Sequence, residues 1–277
     1  MAMMQLLPLP TDAARRNAMR RSRYWRRLKN EEANEKKRLN ELTVSMIPQL
    51  RLISSDFFVS FFWVWSGSLL RCLAFRFLGP GNSPAILVLK VSVAVPYLVF
   101  FAWLGRATKG GSYNPLIVLC YAVSGSFEDF LFSILARIPA QVFGSVVGVF
   151  LANSTFPGAF HGPTLNVDIN QGTLTEGFLT FIIVIVVLSL KKKNPGSSAR
   201  RVWISSISKV ILHLLGSDIT GGIMNPATAF GWAYAQGNHV SKEHIFVYWL
   251  APMEGAVVGV WTCDIFFKHK IVYKNLN

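Results

Sequence analysis

The sequence has few charged residues and few cysteines, and each shortage argues against a class of protein. Asp, Glu, Lys and Arg together make up 15% of the 277 residues, whereas soluble domains carry about 25%. An ordinary soluble enzyme of this size is therefore not expected. The three cysteines, Cys72, Cys120 and Cys263, are widely separated and odd in number. They predict packed thiols rather than a disulfide framework or a zinc site.

Motifs for chemistry are lacking as well. The sequence shows no nucleophile–base set, metal-ligand cluster or phosphate-binding loop, so neither an enzyme nor a bound cofactor is predicted. Apolar residues are abundant instead. They make up 52% of the chain and include 21 Phe, 8 Trp and 7 Tyr, which argues against a disordered chain. With a mean hydropathy of +0.38, the composition predicts a multispanning membrane protein.

Positive charge is concentrated at the start of the chain. The formal net charge is +14, and residues 1–55 hold 12 Lys and Arg against 5 Asp and Glu. Three interpretations are open: a basic cytosolic extension against anionic lipid, an arginine-rich targeting peptide, and a nucleic-acid-binding segment. The first is preferred, with the extension disordered or partly helical. Nucleic acid is not predicted as a partner, because nothing downstream looks like a recognition module.

Six apolar stretches after residue 55 predict membrane-spanning helices. They cover residues 57–78, 85–104, 137–152, 174–190, 202–216 and 244–267. A helix needs about 20 residues to cross a bilayer, so the third and fifth stretches are marginal alone. Two shorter apolar pieces, residues 114–121 and 225–235, are too short to span. Short segments in corresponding places of two halves indicate a site near the middle of the membrane.

Lys and Arg occupy alternate loops between the predicted spans. They occur after the second, fourth and sixth stretches, whereas residues 79–84, 153–171 and 217–224 contain none. Loops rich in Lys and Arg face the cytoplasm. The pattern therefore predicts six spans with both termini in the cytosol.

An offset of 111 residues aligns the two halves of the chain. It maps the Asn-Pro pair at 114–115 onto the pair at 225–226, together with the glycine pairs that precede them. It also aligns two GxxxG pairs, a spacing that allows helices to approach closely in lipid. The four glycines are Gly144, Gly148, Gly255 and Gly259.

Each half contains three spans, so the second half must cross the membrane in the opposite sense to the first. We therefore expect an all-α membrane protein with an inverted 3+3 repeat, six transmembrane helices and two half-helices. The first repeat is assigned to residues 56–153. The second is assigned to residues 154–277 and includes a basic C-terminal tail.

The Asn-Pro pairs predict where a solute would pass. Proline is suited to the first turn of a helix, so each pair opens a half-helix. In an inverted repeat the two helix starts should meet near the midplane, each carrying about half a positive charge. The amides of Asn114 and Asn225 would offer donors there. Such a site favours water or small neutral polar molecules and opposes cations and protons.

These residues resemble the aquaporin (major intrinsic protein) family, whose two Asn-Pro-Ala boxes line a water pore. The second box is intact and the first has leucine in place of alanine. The boxes read Asn114, Pro115, Leu116 and Asn225, Pro226, Ala227. This variant in a basic chain is similar to the second subgroup of plant small basic intrinsic proteins. The resemblance covers about residues 54–270. It implies a homotetramer with one pore per subunit in the endoplasmic reticulum membrane.

The resemblance also implies roles for residues outside the boxes. Asp56 and Glu176 match acids that hold the pore-lining loops through hydrogen bonds. The four positions of the family's narrow filter correspond to Ala94, His213, Gly222 and Thr228. The last position usually holds an arginine. Its replacement by Thr228 predicts a constriction that is wider and less repulsive to cations.

Two buried charges and two alternative functions remain open. Arg71 and Lys209 lie inside predicted spans, so they should face protein or water, and Glu176 is a candidate partner for Lys209.

The preferred function is a passive channel. The alternatives are a proton-coupled transporter that uses His213 and the acids as a relay, and a poorly conducting structural or partner-binding membrane protein.

Overall fold

The computed structural model describes residues 12–78, 84–158, 161–193 and 196–274. These parts of the chain contain ten α-helices and no strand. The helices are α1 Asp12–Leu78, α2 Pro84–Ala107, α3 Pro115–Val123, α4 Phe127–Phe132, α5 Ile138–Thr155, α6 Ile169–Lys193, α7 Ser198–Gly216, α8 Pro226–Gln236, α9 Lys242–Ile245 and α10 Ala251–Lys274. Two π-helical turns, Ser133–Arg137 and Phe246–Leu250, join α4 to α5 and α9 to α10. The all-α prediction is confirmed.

The chain forms two compact units, residues 1–51 and residues 52–277. In the first unit, the described residues are helical and mostly exposed. An exposed ion pair one helical turn apart joins Lys37 to Glu41 at 3.9 Å. Such a pair stabilises a helix by only about 0.3–0.5 kcal/mol. The second unit contains the predicted spans and both half-helices.

The long helices of the second unit follow the apolar pattern with two differences. Over the described residues, five helices of the chain are long and apolar enough to cross a membrane. Helix α7 is not among them, because its serines, Lys209 and His213 reduce its hydropathy. The third apolar stretch, residues 137–152, corresponds to α5, but the helical structure that leads into it starts earlier than predicted. Helical structure begins at Phe127, where Ser126 and Asp129 form a capping box, and the charges of this turn had interrupted the apolar pattern.

The two half-helices are present as expected, in α3 and α8. Asn114 and Asn225 are in extended conformation and cap them, and a proline follows in each first turn. The side-chain oxygen of Asn114 accepts from the Leu116 N–H at 3.0 Å. That of Asn225 accepts from the Thr228 N–H at 3.3 Å. Each asparagine thus satisfies an amide that a helix start leaves unpaired.

The GxxxG glycines lie where two helices touch, at repeat-related places. A Cβ atom on Gly144 would collide with the Phe57 carbonyl of α1, and one on Gly255 with the Gly177 carbonyl of α6. A Cβ on Gly148 would lie 2.8 Å from the Phe61 carbonyl oxygen. The absent side chains therefore bring α5 against α1 and α10 against α6.

Gly255→Ala should destabilise the second repeat because its methyl group would meet backbone that cannot rotate away. We expect a cost of about 1–3 kcal/mol, measured as a lower midpoint of thermal unfolding in detergent. Gly177→Ala is the matched control, since its Cβ would lie 3.3 Å from the Ala251 carbonyl oxygen. Equal midpoints for the two variants would show that the helices do not approach so closely.

Candidate functional site

The two asparagines link the loops that carry them. The Asn114 Nδ2 donates to the Met224 carbonyl at 2.8 Å, and the Asn225 Nδ2 donates to the Tyr113 carbonyl at 3.2 Å. Each asparagine therefore bonds the residue that immediately precedes the other. An amide NH₂ carries two hydrogens, so within the described part of the chain one donor on each asparagine is left over. The starts of α3 and α8 face each other across this pair of bonds.

A buried ion pair fixes the loop before α3. The fully buried Asp56 accepts from the Ser112 N–H at 2.7 Å and from Arg137, at 2.7 Å to Nε and 3.0 Å to Nη2. Nη2 of Arg137 also donates to the Gly110 carbonyl at 2.6 Å. Arg137 lies in the first π-helical turn, a feature that often occurs at functional sites.

Glu176 fixes the loop before α8 without a charged partner among the described residues. This fully buried carboxylate accepts from the Thr220 hydroxyl at 2.7 Å and from the N–H groups of Ile223 and Met224, both at 2.9 Å. The suggested pairing of Glu176 with Lys209 was wrong, because loop donors occupy the carboxylate.

The second repeat has a tyrosine where the first has Arg137. Tyr248 is 111 residues further on, lies in the second π-helical turn, and donates to the Thr220 carbonyl at 2.9 Å. Both side chains thus reach a loop carbonyl from equivalent turns. In each repeat, a side chain from the π-helical turn donates a hydrogen bond to a carbonyl of the loop before the half-helix. The donor is charged in the first repeat and neutral in the second.

Met224 is held in a backbone conformation that residues other than glycine rarely adopt. Its φ is 42°, which carries a cost of order 1–3 kcal/mol. Its N–H donates to Glu176 and its carbonyl accepts from Asn114. The two anchors hold the strained residue at the point where the half-helices meet.

Three of the four predicted filter residues lie around α7. The Nδ1 of His213 is 3.1 Å from the Gly222 carbonyl oxygen. A Cβ on Gly222 would lie 2.6 Å from the His213 carbonyl oxygen, so no larger residue fits there. Ala94 packs in a cluster with Val210 and Leu214 of α7. Thr228 lies in the first turn of α8, and its buried hydroxyl has no partner in the described part of the chain.

Lys209 contacts two aromatic residues instead of the predicted Glu176. Its Nζ is 3.4 Å from the Tyr113 hydroxyl. It also lies 5.4 Å from the centre of the Trp63 ring and 5.1 Å from that of Tyr113. The two rings are stacked, with centroids 3.9 Å apart and planes at 11°. A lone lysine within a span signals a functional site, but its aromatic partners are distant in sequence.

Comparison with known proteins decides the family. Residues 43–263 match the family model described as Major intrinsic protein. The chain belongs to the major intrinsic protein family. It is 46% identical over 227 residues to Aquaporin SIP2-1 of Zea mays, covering 80% of this chain and 91% of that protein. It is 44% identical over 221 residues to Probable aquaporin SIP2-1 of Arabidopsis thaliana, covering 79% and 93%.

A solved structure agrees on the fold of this major intrinsic protein. The X-ray structure of the aquaglyceroporin from Plasmodium falciparum matches with a TM-score of 0.53 and 18% identity, covering 78% of this chain and 96% of that one. The resemblance to the small basic intrinsic proteins is confirmed by the relatives. Because aquaporins are channels, the chain is a membrane channel of this family and not an enzyme.

Proposed function

We propose that this major intrinsic protein is a passive channel for water and small neutral solutes, with its conduit between the two linked loops. The pair of bonds from Asn114 and Asn225 is the observation that carries the proposal. It brings two helix N-termini together, each with about half a positive charge. The remaining amide donors can replace part of a solute's hydration, while the two positive helix ends oppose cations.

The filter we assign to this channel is unusual. It comprises Ala94, His213, Gly222 and Thr228, and none of these side chains is an arginine. The two small residues and the contact between His213 and Gly222 support a wider constriction than one with bulky walls. Asp56 and Glu176 act as supports, because they bind the loops that carry Asn114 and Asn225.

We also propose a setting for the channel. The alternation of Lys and Arg between loops supports cytosolic termini, and the basic N-terminal segment would lie against anionic lipid. The likeness to small basic intrinsic proteins supports a homotetramer in the endoplasmic reticulum membrane. The assigned regions remain the extension 1–55 and the two repeats 56–153 and 154–277.

Flux through vesicles tests the proposal. Purified protein in liposomes should raise the rate of volume change in stopped-flow experiments with water and glycerol, and the entry of hydrogen peroxide, above protein-free vesicles. Asn225→Asp keeps the capping oxygen but replaces the donor by a carboxylate, so neutral flux should fall and cation leak should rise. Asn153→Asp, at an exposed position near the end of α5, is the matched control.

The alternatives predict other results. Rates equal to those of protein-free vesicles would contradict the channel and favour a structural or partner-binding protein. Flux that stops when a proton gradient collapses would favour a coupled transporter.

A further inference from the structure

Lys209 is a cation in α7, one of the six predicted spans, and the contacts that hold the two loops in place do not involve it. Charged residues in such helices almost always face the bundle interior or a water-filled cavity. None of the ion pairs found in the described parts of the chain includes Lys209. Its contacts are the Tyr113 hydroxyl and the faces of Trp63 and Tyr113. A ring face attracts an ammonium without neutralising its charge.

Lys209 lies on a face of α7 that contacts both of the loops carrying the Asn-Pro boxes. Tyr113 immediately precedes Asn114, and the Tyr113 carbonyl accepts from Asn225. Residues four apart on a helix share a face, so Lys209 and His213 lie on one face of α7. His213 contacts Gly222 of the second loop, and Lys209 contacts Tyr113 of the first. This face of α7 therefore adjoins the seam where the two loops meet.

A second cation, Arg71 of α1, also lies near this seam. Both Arg71 and Lys209 lie close enough to His213 to interact with it electrostatically. Arg71 lies eight residues after Trp63 on α1, a spacing that falls within one broad stripe of a helix. Positive charge is therefore present around α7 even though Thr228 contributes none.

We propose that Lys209 is the residue that excludes cations from the conduit, supplying beside the first asparagine box the positive charge that Thr228 lacks. The Trp63–Tyr113 pair holds the ammonium in place, and no carboxylate of the described residues forms an ion pair with it, so its field is uncompensated there. This inference rests on the proposed channel. It replaces the expectation, drawn from Thr228 alone, of a constriction that repels cations weakly.

Paired flux measurements on one set of vesicles test the role of Lys209. Potassium entry is followed with a potassium-sensitive dye, and glycerol entry by stopped-flow light scattering. Lys209→Met retains length but removes charge, and should raise potassium entry at least about tenfold, equivalent to about 1.4 kcal/mol. Lys209→Arg should stay at the wild-type level. Lys191→Met is the matched control. Lys191 lies in the last turn of α6, and its Nζ is likewise close to an aromatic ring, 4.5 Å from the centre of Tyr121 in α3.

A second variant separates charge from packing. Lys209→Met combined with Thr228→Arg should bring potassium entry back towards the wild-type level, because a positive charge returns at another point of the conduit. Lys209→Gln replaces Lys209→Met if the latter does not elute as a single species in detergent. A leak that persists in both Lys209→Arg and the combined variant would assign Lys209 to packing and overturn the proposal.

The remaining outcomes distinguish the two proposals. Wild-type potassium entry in Lys209→Met overturns the role of Lys209, and the channel stands if glycerol still enters. Glycerol and water rates equal to those of protein-free vesicles contradict the channel. In that case a potassium leak that opens only when the charge at 209 is removed still supports Lys209 as the barrier, and its absence overturns it.

Discussion

Replacing Arg137 by methionine should lower the free energy of unfolding by about 3–5 kcal/mol, the cost of removing one partner from a buried ion pair. Asp56 is fully buried and receives two hydrogen bonds from Arg137. Without them, Asp56 keeps the Ser112 N–H as a donor but loses its charged partner. The Gly110 carbonyl loses its donor as well. Thermal unfolding of the purified protein in detergent measures the loss.

Tyr248→Phe is the matched control for this variant, because Tyr248 occupies the equivalent position in the second repeat. It removes one hydrogen bond, to the Thr220 carbonyl, so its cost should be about 0.5–1.5 kcal/mol. The double variant Asp56→Asn with Arg137→Met should recover part of the loss, since no charge is then left unpaired. If Arg137→Met cost no more than Tyr248→Phe, the ion pair would not support the loop.

Glu176→Gln should lower both the stability of the fold and the solute flux through the conduit. A carboxylate offers two acceptor oxygens and a carboxamide only one, so the Gln NH₂ would face the N–H of Met224 or the donors of Thr220 and Ile223. One buried donor left unpaired costs about 1–3 kcal/mol. Met224 also carries the carbonyl that accepts from Asn114. We therefore expect a lower unfolding midpoint together with reduced solute flux.

Thr180→Val tests whether that effect is specific to the carboxylate. Thr180 is buried one turn after Glu176, and its hydroxyl has no partner in the described part of the chain. Replacing an unpaired hydroxyl by a methyl group of the same shape should be neutral or stabilising. A loss of flux in Thr180→Val as large as that in Glu176→Gln would indicate general sensitivity of α6.

Local signals and the internal repeat were enough to predict the half-helices. Gly, Asn and Pro have conformational preferences that act within a few residues, and α3 and α8 begin directly after Asn114 and Asn225. Apolar stretches likewise predicted the long helices, because crossing lipid imposes length and hydropathy together. The third span differed because its first turns carry charges, which a capping box and the bonds between Arg137 and Asp56 accommodate.

Contacts between distant segments could not be read in the same way. Lys209 meets Trp63 and Tyr113 only after three parts of the chain have packed together. The correspondence of Arg137 with Tyr248 was available from the 111-residue offset. The sequence does not indicate that the two residues share a role, because an arginine and a tyrosine differ in charge. What they have in common is a hydrogen bond to a loop carbonyl, which is visible only in the folded chain.

An experimental structure of the purified protein in lipid, at a resolution that shows side chains, would test the central claim most directly. The account predicts that the amide nitrogen at 114 contacts the carbonyl of residue 224, and that the amide at 225 contacts the carbonyl of residue 113. The linked loops should border a continuous passage. Asparagines separated by intervening helices, or directed towards the acyl chains, would contradict it.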